Sequence, residues 1–149
     1  LEEAYDAWMT RGFPAIGDVL FTTEAPLANV AQLDTEEKVV IGQRLITFKT
    51  DPNEIAPSFL KWSLISPQMQ NEIHSQATGA TVLGIKAKLL KKIALFVPAD
   101  IDVQEAIALK CEEAFRMHNE LAVAYRAKLD DLEDLRQSLL QKAFAGELT

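Results

Sequence analysis

A single cysteine, Cys111, stands among the 149 residues of this chain. One thiol cannot close an internal disulfide, and nothing around it has the spacing of a zinc cluster. No apolar run approaches the ~18 residues that a membrane-spanning helix needs. No basic, apolar and small-residue leader opens the chain, so a cytoplasmic setting is expected. Histidine is nearly as scarce: His74 and His118 are the only two, and neither has an assignable acid–base partner. The serines lack the glycines of a nucleophile elbow. No glycine loop of the kind that cradles phosphate is present, which argues against nucleotide or methyl-donor binding. Glu36-Glu37, Asp130-Asp131 and Glu133-Asp134 are acidic pairs without metal-ligand spacing, and read as solvated faces. These absences predict no catalytic residue, no metal and no cofactor, and they disfavour a small hydrolase.

Positive charge is also in short supply. The chain has 15 basic and 22 acidic residues, a net charge of −7. That counts against a free-standing nucleic-acid binder, because phosphate contacts need Lys and Arg. The distribution softens the objection. From Ile101 onward there are 10 acidic and 6 basic residues, a net of −4; the first hundred residues hold 12 and 9, a net of −3. Four of those nine basic residues, Lys86, Lys88, Lys91 and Lys92, fall within one short stretch. A locally basic face is possible on an acidic protein.

What the chain has in abundance is helical periodicity at its end. From Val103 to Ala145 the pattern predicts one helix of roughly 40 residues, about 60 Å long at ~1.5 Å per residue. Cys111, His118, Tyr125, Leu132 and Leu139 recur every seven residues. Ala114, Leu121, Lys128, Leu135 and Lys142 fall three places later, and Phe115, Ala122, Leu129 and Ala143 fill the next flank. A seam of this length argues for a coiled coil or a long antiparallel helix pair, with Lys128, Lys142 and His118 as its imperfections. The alternative is one amphipathic helix lying on its own domain. Gly146 follows the last periodic residue as a stop signal.

The remainder reads as short elements. Leu1 to Thr10 is amphipathic. Gly17-Asp18 turns into a strand over Val19–Thr23, which Pro26 breaks. Asn29–Leu33 is a second strand. Val39–Ile41 and Arg44–Phe48 are strand-like, with Gly42-Gln43 as a bend between them. Ser58–Ile65 predicts a short helix with Phe59, Trp62 and Leu64 buried. Ser66 is expected to cap a further helix that carries Pro67, Met69, Ile73 and Ala77. Thr78–Thr81 is a turn or loop. Leu89–Val97 is a strand or an extended approach to Pro98, and Asp102 is expected to cap the long helix. The fold class is α+β: a small β-rich body followed by one long coiled-coil-forming α-helix.

Several blocks together resemble a known family. Gly17-Asp18-Val19-Leu20-Phe21-Thr22-Thr23-Glu24-Ala25-Pro26-Leu27 resembles the opening of a target-recognition domain in the specificity subunits of type I restriction-modification enzymes. Gln43-Arg44-Leu45 resembles that domain's central strand, and Phe59-Leu60-Lys61-Trp62 with Leu64 and Ser66 its helix. Ala77–Thr81 resembles its Gly-Ser/Thr loop, and Ile93–Pro98 the strand before its proline. The tail Leu135–Leu148 is very similar to the family's C-terminal signature. Ala28 stands where a glycine is common, and Val103-Gln104 replaces a frequent Glu-Gln pair. The resemblance implies a C-terminal part of such a subunit, with residues 1–100 as a partial target-recognition domain and 101–149 as a helical spacer and dimerisation arm. It implies a non-catalytic module that reads one half of a bipartite DNA sequence, with methylation and cleavage left to other chains.

The expected partners are double-stranded DNA, the methyltransferase (modification) and restriction subunits, and the other half of the subunit or a second copy; no membrane is expected. The expected DNA-facing residues are Thr22, Thr23, Glu24, Thr78, Gly79, Thr81, Lys86, Lys88, Lys91 and Lys92. The hydroxyls and Gly79 suit close approach to phosphate, but an ordinary turn fits too. The lysines are a phosphate-facing patch or a solvated edge. Glu24 could accept from a cytosine amino group or be a structural carboxylate. Cys111, His118, Leu121, Tyr125, Leu129, Leu132, Leu135 and Leu139 are the expected helix-pairing residues. The rival reading is a coiled-coil scaffold that holds protein partners and never contacts DNA.

Overall fold

The computed structural model describes residues 2–10 and 12–147. Leu1 and Leu148, at the ends of the first and last segments read above, lie outside the described residues. The described elements are α1 (Glu2–Trp8), β1 (Val19–Thr22), β2 (Val30–Gln32), β3 (Leu45–Phe48), α2 (Pro57–Ile65), α3 (Pro67–Ser75), α4 (Ala87–Leu90) and α5 (Ile101–Phe144). This is the expected α+β arrangement. The chain divides into two compact units, Leu1–Ala108 and Leu109–Thr149.

In the first unit, β1 is the central strand of an antiparallel sheet ordered β2-β1-β3. Its β-branched and aromatic residues favour an extended chain. Val19 and Phe21 point inward and are fully buried, while Leu20 and Thr22 between them are half-buried. Successive strand residues face opposite sides, so one face of VLFT enters the core as a unit. Phe21 lies opposite Val30 on β2 and Ile46 on β3, and its ring meets Phe48 edge-on at 6.2 Å. Leu60 and Leu64 of α2, Ile73 of α3, Ile85 and Leu90 complete this core. Full burial of each such side chain contributes roughly 1.5–3 kcal/mol.

The helices start where local chemistry allows. Pro57 opens α2, where a missing N–H costs nothing. Leu60 is buried in α2 beside Phe59 and Leu64, whereas Trp62 is only half-buried. Ser66 caps α3 as expected, its Oγ accepting from the Met69 N–H at 3.3 Å. Ala77 falls just beyond that helix.

Two expectations are corrected, and one open alternative is resolved. Val39–Ile41 forms no strand: β propensity needs a ladder partner, and none pairs with this segment among the described residues. Of the two alternatives for Leu89–Val97, the strand does not form. Lys86 to Leu90 winds into the single turn of α4, with the Leu89 and Leu90 N–H groups donating to the Lys86 carbonyl. Beyond it the period-2 pattern persists in burial. Ile93, Leu95 and Val97 are half-buried, and Phe96 is 87% exposed. No ladder accompanies the pattern. Finally, the long helix is capped by Asp100 instead of Asp102: Asp100 Oδ1 accepts from the Asp102 N–H at 2.9 Å.

The anchor of α5 within the first unit is Gln104, a fully buried polar side chain. Its Oε1 accepts from the Ala56 N–H at 2.9 Å, and its Nε2 donates to the carbonyls of Pro98 at 2.7 Å and Glu54 at 3.0 Å. Ala108, one turn on, packs with Ala56 and Phe59.

The second unit is helix throughout to Phe144. The Gly146 N–H donates to the Ala143 carbonyl and the Glu147 N–H to that of Lys142, with Gly146 at φ +76°. This is the paired 5→2 and 6→1 closure of a Schellman stop, and the left-handed residue is the glycine read as the terminator. The helix has 44 residues and a length of about 66 Å at ~1.5 Å per residue.

Candidate nucleic-acid interface

The end of β1 carries the first candidate loop. Thr22 is spent on local structure: its Oγ1 donates to the Pro26 carbonyl at 2.5 Å and accepts from the Asn29 N–H at 2.9 Å. Those bonds close the loop from Thr22 to Asn29, in which Ala25 and Ala28 take positive φ of 51° and 65°. Ala28, at the position where the family resemblance leads one to look for glycine, therefore holds a backbone conformation that glycine adopts without strain. Gln70 of α3 braces the loop from beneath, its Nε2 donating to the Ala28 carbonyl at 3.0 Å.

Thr23 turns the other way. Its N–H and its Oγ1 both donate to the Arg44 carbonyl, at 2.8 and 3.1 Å. Its own carbonyl accepts from the Ile85 N–H at 2.9 Å. Glu24 forms an antiparallel bridge with Gly84, and its carboxylate takes an ion pair from Arg44, Oε1 to Nε, at 2.9 Å.

Gly84 joins this loop to the second candidate. Thr78 and Gly84 exchange both backbone hydrogen bonds, at 2.9 and 3.0 Å, so residues 78–84 form a closed loop. Gly79 makes the bend: its φ is +129°, and a Cβ there would run into the Val82 carbonyl. Gly84 is needed for a different reason. A Cβ on it would press on Glu24 Cβ and the Thr23 carbonyl, each at 3.2 Å. Thr78, Gly79 and Thr81 are exposed, and so are Val82 and Leu83 at the same tip.

Directly after Gly84, Ile85 is driven into the core. The chain then emerges with Lys86, Lys88, Lys91 and Lys92, all exposed and none in an ion pair with another described residue. The fold thus brings Thr22–Glu24 and Thr78–Thr81 together through Gly84, with the lysine stretch continuing from the same residue. Arg44, which contacts both Thr23 and Glu24, was not among the expected site residues. Its signal was weak: a lone arginine ahead of a strand, 20 residues from its partner.

The remaining groups are elsewhere. His74 Nδ1 lies 2.7 Å from the Gln70 carbonyl within its own helix. His118 is exposed. Among the described residues no cluster of His, Cys, Asp or Glu could hold a metal ion. A cavity lined by Trp8, Phe13, Pro14, Ile41, Leu45 and Lys49 contains none of the loop or lysine residues above. Along the second unit, Leu121, Tyr125, Leu129, Leu132, Leu135 and Leu139 are 46–65% exposed, and Cys111 is half-buried.

A small antiparallel sheet with flanking short helices and one long helix is the fold of a type I restriction-modification specificity subunit. A crystal structure of the S subunit of such a system from M. genitalium superposes with a TM-score of 0.58 at 21% identity, over 93% of this chain and 36% of that one. The specificity subunit of the type I restriction enzyme EcoBI from Escherichia coli is 26% identical over 132 residues, 89% of this chain and 28% of that protein. No family model matches the chain. The resemblance read from the sequence blocks is met in both comparisons, and the chain spans about a third or less of each protein.

Proposed function

We propose that this chain is a DNA-recognition module of a type I restriction-modification specificity subunit, and that it reads one half of a bipartite target. The observation that carries this is the convergence at Gly84. A half-buried loop at Thr22–Glu24, an exposed loop at Thr78–Thr81 and a run of lysines without an ion-pair partner among the described residues share one locality in a chain whose net charge is −7. The lysines supply phosphate contacts and register, and the loops supply base discrimination. Residues 1–100 act as the recognition domain and 101–149 as the spacer and pairing arm. The exposed stripe of α5 packs against the other half of the subunit or a second copy. Methylation and cleavage belong to the methyltransferase and restriction subunits, and the complex works in the cytoplasm.

A second reading, a coiled-coil scaffold without DNA contact, draws on the same exposed stripe and on the acidic net charge. Gel shift separates the two. The protein with its methyltransferase partner is titrated against mixed genomic DNA at low and moderate salt. A salt-sensitive shift is expected. A complex that forms with the partner but shifts no DNA at either salt favours the scaffold.

A further inference from the structure

Arg44 and Glu24 form a unit that neither the lysines nor the threonines explain. Arg44 has its backbone pinned, because its carbonyl receives both the N–H and the hydroxyl of Thr23. Its guanidinium meets Glu24 through one edge, an ion pair of Nε with Oε1 at 2.9 Å, and the side chain remains 66% exposed. Glu24 is fixed in turn by its backbone bridge to Gly84, whose missing Cβ leaves room for the carboxylate beside it. Both terminal nitrogens of Arg44 carry no bond to another described residue.

With Nε ion-paired to the Glu24 carboxylate, the two terminal nitrogens keep a planar fork of N–H donors for an outside acceptor. That is the donor geometry that matches guanine O6 and N7 in the major groove. The carboxylate also neutralises the guanidinium's charge. The pair should therefore add little to phosphate attraction while keeping directional donors. The lysine stretch has the opposite character: charge without fixed direction. We propose, on the reading above, that Arg44 is a specificity-determining residue that reads a guanine, and that Glu24 is the positioning residue that aims it.

The test uses the protein assembled with its methyltransferase partner. Its preferred duplex is first selected from a random library. Each guanine in that duplex is then replaced by 7-deazaguanine, which lacks the N7 acceptor. Wild type is expected to lose roughly 5- to 10-fold in affinity at one guanine, the lower part of the range for a bidentate base contact, because O6 is kept and only N7 is lost. Arg44→Lys keeps the charge but not the fork, and should bind with less than about a twofold response at that position and an unchanged salt slope. Glu24→Gln should weaken the preference for that guanine while raising affinity for scrambled DNA and steepening its salt dependence. A merely structural carboxylate would not produce that pair of changes. Circular dichroism melts of all three proteins confirm that they fold alike. An Arg44→Lys protein with the wild-type 7-deazaguanine profile overturns this assignment and leaves the DNA-recognition reading intact. A wild-type complex with no sequence preference overturns both.

Discussion

Single residues at the joints of this fold carry more than their exposure or type suggests. Gln104 is the clearest. It satisfies one backbone N–H and two carbonyls with one amide, and it is fully buried. Gln104→Leu preserves approximate volume but strands all three groups. Each unmet buried polar group costs about 1–3 kcal/mol, and partial hydration of the carbonyls moderates the sum. A loss of about 3 kcal/mol is expected. Urea unfolding of the variant should show a lower midpoint at an unchanged slope; a midpoint within error of wild type would mean the amide is dispensable. Ala28 illustrates the converse. Its φ of 65° is strained for a non-glycine residue, yet its methyl is buried, so the two effects oppose each other.

At the level of elements, α4 and α5 lend themselves to separate tests. α4 and its flanks hold Lys86, Lys88, Lys91 and Lys92 in a single turn behind the buried Ile85 and Leu90. Lys88→Ala with Lys91→Ala should weaken binding about equally for cognate and scrambled duplexes, and flatten the salt slope by at most about two. A titration over salt in which the double variant keeps both affinity and slope would move the phosphate-facing surface elsewhere. α5 exposes Leu121, Tyr125, Leu132, Leu135 and Leu139 along the second unit. An apolar stripe of that length normally finds a partner, and an isolated chain is expected to pair antiparallel with a second copy as a twofold dimer. Light scattering at high micromolar concentration should report that dimer. Leu132→Asp with Leu139→Asp should leave only monomer, because unpaired carboxylates would enter the seam. A wild-type monomer under those conditions counts against pairing through this face.

For the whole molecule, the reading proposed above is that of a DNA reader. Among the described residues no metal cluster occurs and no helix is long and apolar enough to cross a membrane. No nucleophile–base pair can be assembled from the spacing of the side chains. On the proposed reading, purified chain is expected neither to methylate nor to cut DNA. Turnover by a preparation free of the other subunits would contradict this. The acidic balance has a consequence too. On the proposed reading, a net charge of −7 means that long-range repulsion from DNA is offset by the local lysine cluster and by partner subunits. Binding by the chain alone should be weak and lost quickly as salt rises.

The features legible in the sequence are those set by near neighbours along the chain. The helical periodicity from Val103 to Ala145, the glycine stop at Gly146, the strand propensity of Val19–Thr22 and the Ser66 cap each depend on residues within a turn or a few positions of one another. Each is found where the pattern pointed. The features that needed tertiary structure are those in which distant segments complete one another's hydrogen bonds. Gln104 reaches back 48 and 50 residues to Ala56 and Glu54. Gly84 stitches Glu24 to Thr78, and Arg44 closes on Glu24. Val39–Ile41 has the composition of a strand but no ladder partner among the described residues, and composition cannot supply one. Local pattern sets the helices, their caps and stops, and strand propensity, because φ/ψ preference and side-chain periodicity are properties of a short window. Which loops meet, and which charged groups are thereby aimed, is decided by pairing across tens of residues, and no short window contains both partners.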